Sequence, residues 1–245
     1  MDKIVEKTKI TEDKFSLETF DYTKRYSDEF YQNYMNGFVP NIKRQRVYRV
    51  TKRILDIIIA VLGLIILSPV MLVIAIAIKC DSKGPVIFKQ KRIGQNGQVF
   101  NLYKFRSMKI TAPRECATSV LKDPECHLTR VGKVIRKLSL DELPQLWCVL
   151  VGTMSVIGYR PLILSEVNCN EMRRRLGVFK AKPGISGYAQ VVGRDDVYYK
   201  NKAVLDAEYV KTASLGKDIE LFFRTFAVVL FKKGNRDDRD NKRSK

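Results

Sequence analysis

Histidine is nearly absent from this chain, with His127 the only one in 245 residues. That excludes a multi-histidine metal site, and a Ser-His-Asp or Cys-His arrangement would hang on the one residue. The cysteines (Cys80, Cys116, Cys126, Cys148 and Cys169) are odd in number and show no CxxC spacing, so neither a zinc ribbon nor a disulfide framework is read. Phosphate-binding glycine signatures are missing too: Gly184, Gly187 and Gly193 fit neither GxxxxGK[ST] nor GxGxxG and read as turn glycines. Residues 1–40 hold no apolar stretch of the kind a targeting peptide needs, and are expected to stay in the mature protein. An enzyme made from this chain must work with carboxylates and basic groups.

What the chain has in excess is positive charge. Forty-five Lys and Arg against 26 Asp and Glu leave a net +19, while residues 1–40 alone carry six against eight. The rest of the chain therefore holds +21, which calls for an anionic partner: phosphate, a phospholipid surface or nucleic acid. A hydrophobic content of 45% excludes a wholly disordered chain and supplies a core for one domain or two small ones. Residues 1–40 also hold Phe15, Phe20, Tyr22, Tyr26, Phe30, Tyr31, Tyr34 and Phe38, enough for a docking arm, with a poorly ordered extension as the alternative.

From Arg46 the pattern becomes that of a basic amphipathic helix. Val47, Val50, Ile54 and Ile57 share one face, and Arg46, Arg49 and Arg53 line another. It leads into residues 57–78, which carry no charge and are long enough to cross a bilayer as a helix. Ser68-Pro69 interrupts the run, and proline there removes a helix hydrogen bond. Both flanks are basic: Lys43, Arg44, Arg46, Arg49, Lys52 and Arg53 precede the run, and Lys79, Lys83, Lys89, Lys91 and Arg92 follow it. A spanning helix concentrates Lys and Arg on one side, so a helix that enters, turns at Ser68-Pro69 and leaves by the same face fits better than a kinked span.

Beyond Gly84-Pro85, two alternating segments around Asn96-Gly97 predict a β-hairpin carrying Lys89, Lys91, Arg92 and Lys104. Residues 111–128 read as a loop. Helical periodicity is read at 131–138, from Asp141 to about 151, at 204–209 and at 219–231, the last too short to span and placed as a core or membrane-surface helix. Residues 182–187 read as a compact turn, and the chain ends in a solvated charged tail.

The most informative stretch is IRKLSLDELPQLW. A helix starting with Asp141 as N-cap would tolerate Pro144 in its first turn and put Asp141 and Glu142 at the positive end of a dipole. Arg136 lies just upstream and Arg160 follows in Gly158-Tyr159-Arg160-Pro161. Carboxylates beside guanidinium groups suit phosphoryl chemistry, although a bare Asp-Glu at a helix start is more often a capping pair. Lys104 and Arg106 read as exposed strand cations that could approach a donor. Asp206 and Glu208 read as metal-assisting or solvent-facing, Glu208 on the solvent or structural side. Tyr198-Tyr199 reads as packing and His127 as incidental.

The order KRILD, a broken apolar run, GPVIFKQKRIG, YKFRSM, LSLDELPQLW, GTMSVIGYRP, KPGISGYAQVVGR and LDAEYV resembles the bacterial sugar transferases, the monotopic polyprenyl-phosphate phosphoglycosyl transferases. The resemblance covers roughly residues 49–233. It implies a compact α/β catalytic domain beside a re-entrant membrane helix, with amphipathic helices on the cytoplasmic face of the bacterial inner membrane. The implied division is an extension at 1–45, the amphipathic entry and re-entrant helix at 46–80, the catalytic domain at 81–234 and a tail at 235–245. The implied reaction moves a sugar phosphate from a UDP-sugar to polyprenyl (undecaprenyl) phosphate with Mg²⁺ as cofactor, releasing UMP. Asp141 matches the covalent nucleophile and Glu142 its partner, both also the expected metal ligands. Arg136 and Arg160 match phosphate-binding arginines, and Ser68-Pro69 the helix break. Tyr159 stands where that pattern commonly has proline, which questions the rigidity around Arg160, and Val192 stands where it has asparagine. Membrane phospholipid is an expected partner and nucleic acid is not. The competing function is a non-catalytic membrane-bound basic module that binds anionic lipid or nucleic acid.

Overall fold

Pro69 has no N–H to offer the carbonyl of Ile65, one helical turn back, and the Ser68 hydroxyl donates to that carbonyl instead, at 2.8 Å. The long apolar segment accordingly divides into α2 (Arg46–Ile66) and α3 (Ser68–Asp81), bent by 60° at Leu67. The computed structural model describes residues 20–38, 46–113, 124–193 and 197–230. Among them no single helix is long and apolar enough to cross a membrane, and α2 and α3 meet that length and composition only as a bent pair. Leu62, Ile65, Ile66, Leu72, Val73 and Ile76 around the bend are all exposed, while Ala60, Ile74 and Ile78 face the body. Lys43, Arg44, Cys116, Arg194 and the charged tail lie outside the described residues.

The polar residues of KRILD bolt α2 to that body. Lys52 reaches Asp218 at 2.8 Å, and Arg53 donates to the carbonyls of Val149 and Leu150 at 2.6 and 2.8 Å. Asp56, itself buried, accepts from the Val156 N–H at 2.9 Å and the Ser155 hydroxyl at 3.0 Å. Arg53 therefore leaves the exposed basic face on which periodicity placed it. A side chain that satisfies two helix-end carbonyls contributes more than a solvated cation.

The hairpin forms as expected. β1 (Ile87–Ile93) pairs antiparallel with β2 (Val99–Phe105), from Ile87 opposite Phe105 to Ile93 opposite Val99. Asn96 and Gly97 turn the chain with φ of 56° and 75°, the left-handed region these two residue types tolerate. Then follow α4 (Arg130–Lys137), a 3₁₀ turn over Leu140–Glu142, α5 (Gln145–Val151), β3 (Ser155–Ile157), α6 (Val167–Arg175), β4 (Gly184–Ser186), α7 (Tyr188–Gly193), α8 (Tyr199–Thr212) and α9 (Leu215–Leu230). The result is a mixed helix and sheet fold, with the core gathered around Val149, Met154, Leu176, Val178, Val204 and Leu205 and with α6 packed on α8.

Three expectations are corrected. Residues 182–187 are not only a turn, because β4 pairs there in parallel with β3. A Cβ at Gly184 would lie 2.1 Å from the Gly158 nitrogen, so this glycine serves a close backbone approach. The 219–231 helix begins earlier, at Leu215, with Leu221 buried and Ile219, Phe223 and Phe226 exposed. Asp206 does not face solvent, because α8 is buried on nearly every side and its carboxylate pairs with Arg173, while for Glu208 the structural reading holds, its carboxylate accepting from Tyr34. Of the two readings of the aromatic N-terminal stretch, the docking arm holds for residues 20–38. There α1 (Asp28–Gly37) lays Tyr31, fully buried, against α8, its hydroxyl donating to Asn201 at 2.6 Å, and Tyr34 donates to Glu208 at 2.8 Å.

Candidate active site

Ser139 adopts a left-handed conformation with φ 57° and ψ 18°, closing α4 and turning the chain into the 3₁₀ turn that carries Asp141 and Glu142. A non-glycine residue there costs about 1–2 kcal/mol, which the surrounding packing must offset. Asp141 is thus not the N-cap of a helix. Hydrogen bonds of three-residue spacing, Glu142 to Ser139 and Leu143 to Leu140 at 3.3 Å, continue through Leu146 and Trp147. Pro144 lacks the N–H that a wider helical turn would use, so α5 begins only at Gln145.

The two carboxylates sit in opposite surroundings. Glu142 receives Lys104 at 2.7 Å and Arg160 at 3.0 Å, both on the same Oε1. Burial works to raise its pKa, but Arg160 and Lys104 outweigh it and hold the carboxyl well below the usual range. Asp141 is buried, and its carboxylate takes no hydrogen bond among the described residues. Burial, reinforced by the Glu142 charge, pushes its pKa up against the pull of Lys104, Arg136 and Arg160. Adjacent acids driven apart in this way commonly divide labour, one a fixed charge and the other a reacting group.

Of the four residues singled out from the sequence, the fold brings Asp141, Glu142 and Arg160 together. Arg136, near the end of α4, acts on Asp141 through its charge and makes no ion pair among the described residues. Two further cations complete the group. Lys104 is the strand cation the sequence left ambiguous, and Arg92 lines a narrow cleft with Lys104, Arg160 and Pro161. Arg92 donates to the Pro161 carbonyl at 3.1 Å and to the Gln90 side chain, leaving its buried Nε without a partner among the described residues. Burial, and next the nearby Arg160, lower its pKa to about 10. The signal for both was period two: Phe88 pairs with Lys104 and Arg92 with Phe100, so Gln90, Arg92 and Lys104 share one face of the hairpin.

Other candidates fall away for stated reasons. Arg106 is buried and binds the Ser82 carbonyl at 2.7 Å and the Lys83 carbonyl at 2.9 Å, closing the end of α3 rather than approaching a donor. Asp206 is committed to Arg173 and cannot serve a metal at the dyad. Tyr198 and Tyr199 pack at 4.6 Å between ring centres, and Cys80, Cys126, Cys148 and Cys169 are unpaired. Among the described residues no three His, Cys, Asp or Glu side chains cluster as a metal site. Tyr159 is fully buried, its ring under the Arg173 guanidinium at 5.4 Å, so packing and stacking hold the segment before Arg160 where proline would have done so by its ring.

Comparison with known proteins places this geometry. A family model described as bacterial sugar transferase matches residues 47–232. The chain is 37% identical over 212 residues to an undecaprenyl-phosphate galactose phosphotransferase of Salmonella typhimurium, covering 80% of this chain and 44% of that protein. It is 42% identical over 190 residues to a UDP-glucose:undecaprenyl-phosphate glucose-1-phosphate transferase of Escherichia coli, covering 73% and 40%. With the exopolysaccharide production protein ExoY of Sinorhizobium fredii it shares 34% identity over 200 residues, 76% of this chain and 88% of that one. The chain spans less than half the length of the first curated relatives it matches.

Proposed function

This chain belongs to the bacterial sugar transferase family, and from that premise we propose that it transfers a sugar phosphate from a UDP-sugar to undecaprenyl phosphate, releasing UMP and starting a lipid-linked glycan. Relatives are named for UDP-glucose, UDP-galactose and UDP-N-acetylgalactosamine. One observation carries the reading: a buried, unbonded Asp141 carboxylate stands beside a Glu142 already neutralised by Lys104 and Arg160. The cations are prearranged for phosphate, and the one carboxylate free of them is the nucleophile.

The chemistry divides into two displacements. An Asp141 oxygen attacks the sugar-bearing phosphorus, the bond from that phosphorus to the bridging oxygen breaks, and the electron pair leaves with UMP. An oxygen of undecaprenyl phosphate then attacks the same phosphorus, the acyl-phosphate bond breaks, and the Asp141 carboxylate is restored. Arg160, Lys104 and Arg92 bind the phosphoryl oxygens and orient the diphosphate. Dividing the transfer lets a soluble donor and a lipid acceptor use one anion site in turn. Mg²⁺, which takes one or two carboxylates with substrate oxygens and water, would be held by Asp141, with Glu142 offering the oxygen that Lys104 and Arg160 do not bind. Bound there, it would offset charge on the diphosphate and the leaving group.

The bent pair α2 and α3, with its exposed apolar surface, is read as a re-entrant helix on the cytoplasmic face of the inner membrane. Exposed Phe223 and Phe226 of α9 rest at the lipid surface, and Arg46 and Arg49, beside exposed Val50 and Ile54, face phospholipid headgroups. Residues 46–80 form the membrane unit, 81–234 the catalytic domain. Labelling of a cysteine at position 83 only from outside the cell would contradict this topology. The reaction itself is tested with UDP-glucose, UDP-galactose and UDP-N-acetylgalactosamine, each supplied with undecaprenyl phosphate and Mg²⁺. UMP release from at least one is expected. Silence from all three, with the protein folded, would favour a lipid-binding module over an enzyme.

A further inference from the structure

The loop that carries Arg160 is held carbonyl by carbonyl. Tyr159 O accepts from the Gly184 N–H at 2.9 Å, and Arg160 O accepts from Arg173 Nη1 at 2.8 Å. Pro161 O accepts from Arg92 at 3.1 Å, Leu162 O from the Ile93 N–H at 3.1 Å, and Ile163 O from Asn170 Nδ2 at 2.9 Å. Five consecutive carbonyls are thus satisfied by donors from β1, α6 and β4, in a segment with no regular structure of its own. One donor differs from the rest. Arg173 is fully buried, its other terminal nitrogen bound to Asp206 of α8, both side chains 1% exposed.

A sealed ion pair is a costly way to fill a core, because apolar side chains of similar volume are commonly as stable or more so. Its presence calls for something an apolar pair cannot supply, and the structure offers one such thing: the N–H donated to the backbone of Arg160. We infer that Arg173, charged and oriented by Asp206 and stacked on Tyr159, is a positioning residue that fixes Arg160 so that its guanidinium meets the donor diphosphate. From the pinned carbonyl, the Arg160 side chain extends to Glu142 at 3.0 Å. Small misplacements of a phosphate-binding group have large consequences for binding and rate, which makes second-layer fixation effective. The inference rests on the reading of Arg160 as a ligand of the donor phosphates.

The test is a double-mutant cycle on the full chain, with UDP itself as the probe and affinity read by calorimetry. Arg160→Ala is expected to weaken UDP binding about tenfold. The pair replacement Arg173→Met with Asp206→Leu removes both charges together, so the protein should keep its melting temperature yet lose affinity by at least about fivefold. In the Arg160→Ala background the pair replacement should cost nothing further. If it does not fold, Arg173→Lys, which keeps a paired charge, takes its place in the same cycle. An unchanged affinity in the variant at position 173, or a loss that adds in full to that of Arg160→Ala, overturns the positioning role. A wild-type chain that binds no UDP, or an Arg160→Ala chain that binds it normally, removes the reading of Arg160 on which the role depends.

Discussion

Glu142 and Asp206 each meet an arginine, but in different media. At the dyad, Arg160 is 36% exposed and Glu142 17%, so water and substrate can compete for the contact. At the other cluster, Arg173 and Asp206 are each 1% exposed, and nothing can enter. The two are joined through one residue: Arg160 gives its guanidinium to Glu142 and its backbone carbonyl to Arg173. The same chemistry is thus used twice, once where water and a ligand can reach the charges and once where they cannot. An open pair contributes little to stability and remains available, whereas a sealed pair contributes order and is intolerant of being half removed.

The largest effect expected from breaking this comparison is on folding. Arg173→Ala strands the Asp206 carboxylate in the core and should cost about 3–5 kcal/mol of stability. Glu142→Gln, at the more open cluster, should cost less, about 1–2 kcal/mol, because water can reach the partly exposed Arg160 once the charge is gone. Denaturant melts of the two variants measure the difference, and equal losses would mean the clusters do not differ as described. A smaller effect is expected on turnover: Arg160→Lys loses the planar fork that matches phosphate and should slow UMP release by about tenfold, or about 1.4 kcal/mol of barrier. Full activity in that variant would make Arg160 a structural residue.

The pH dependence sharpens the comparison within the dyad. Asp141 has its pKa raised above the ordinary 3.8, and Glu142 has its own lowered, so as pH falls Asp141 takes a proton first. Activity that needs the Asp141 carboxylate should therefore fall away on an acid limb lying above 3.8. Removing the Glu142 charge removes a contribution that raises Asp141, so the residual activity of Glu142→Gln should show that limb at lower pH. Stability runs the other way for Glu142: its contribution is present above the unfolded carboxyl value and is lost as pH falls through the lowered one. A limb that stays put in Glu142→Gln would show that the two acids do not sense each other. The smallest effect concerns Tyr159, whose buried hydroxyl has no partner among the described residues. Tyr159→Phe should raise stability by up to about 1 kcal/mol, and a loss instead would reveal a bound water at that oxygen.

How much of this could be read from residues follows the distance over which each feature is decided. The hairpin was legible because Asn96-Gly97 sets its own turn, and the helix break because Ser68-Pro69 alters bonds within one helical turn. The motif resemblance singles out Asp141, Glu142 and Arg160, which the fold brings together. Their partners were less so, since Lys104 meets Glu142 across 38 residues and shows its role only once strand alternation is followed on both arms. Asp206 is not legible as a buried residue, because an aspartate in a helix usually faces water. Only Arg173, 33 residues earlier, explains why Asp206 can be buried. The β4 strand is not legible because its three residues, the first of them Gly184, are too few to carry a periodic signal, and its pairing with β3 is non-local.

The central claim is that Asp141 carries the sugar phosphate between donor and acceptor, and mass spectrometry of the intact chain tests it directly. Incubated with a UDP-sugar it turns over and Mg²⁺, but without undecaprenyl phosphate, the protein should gain the mass of one phosphosugar. The adduct should map to the peptide holding Asp141, be absent from Asp141→Asn, and disappear with product formation when acceptor is added. An adduct on Glu142, or UMP release that begins only after acceptor is supplied and leaves the chain unmodified, would contradict the account.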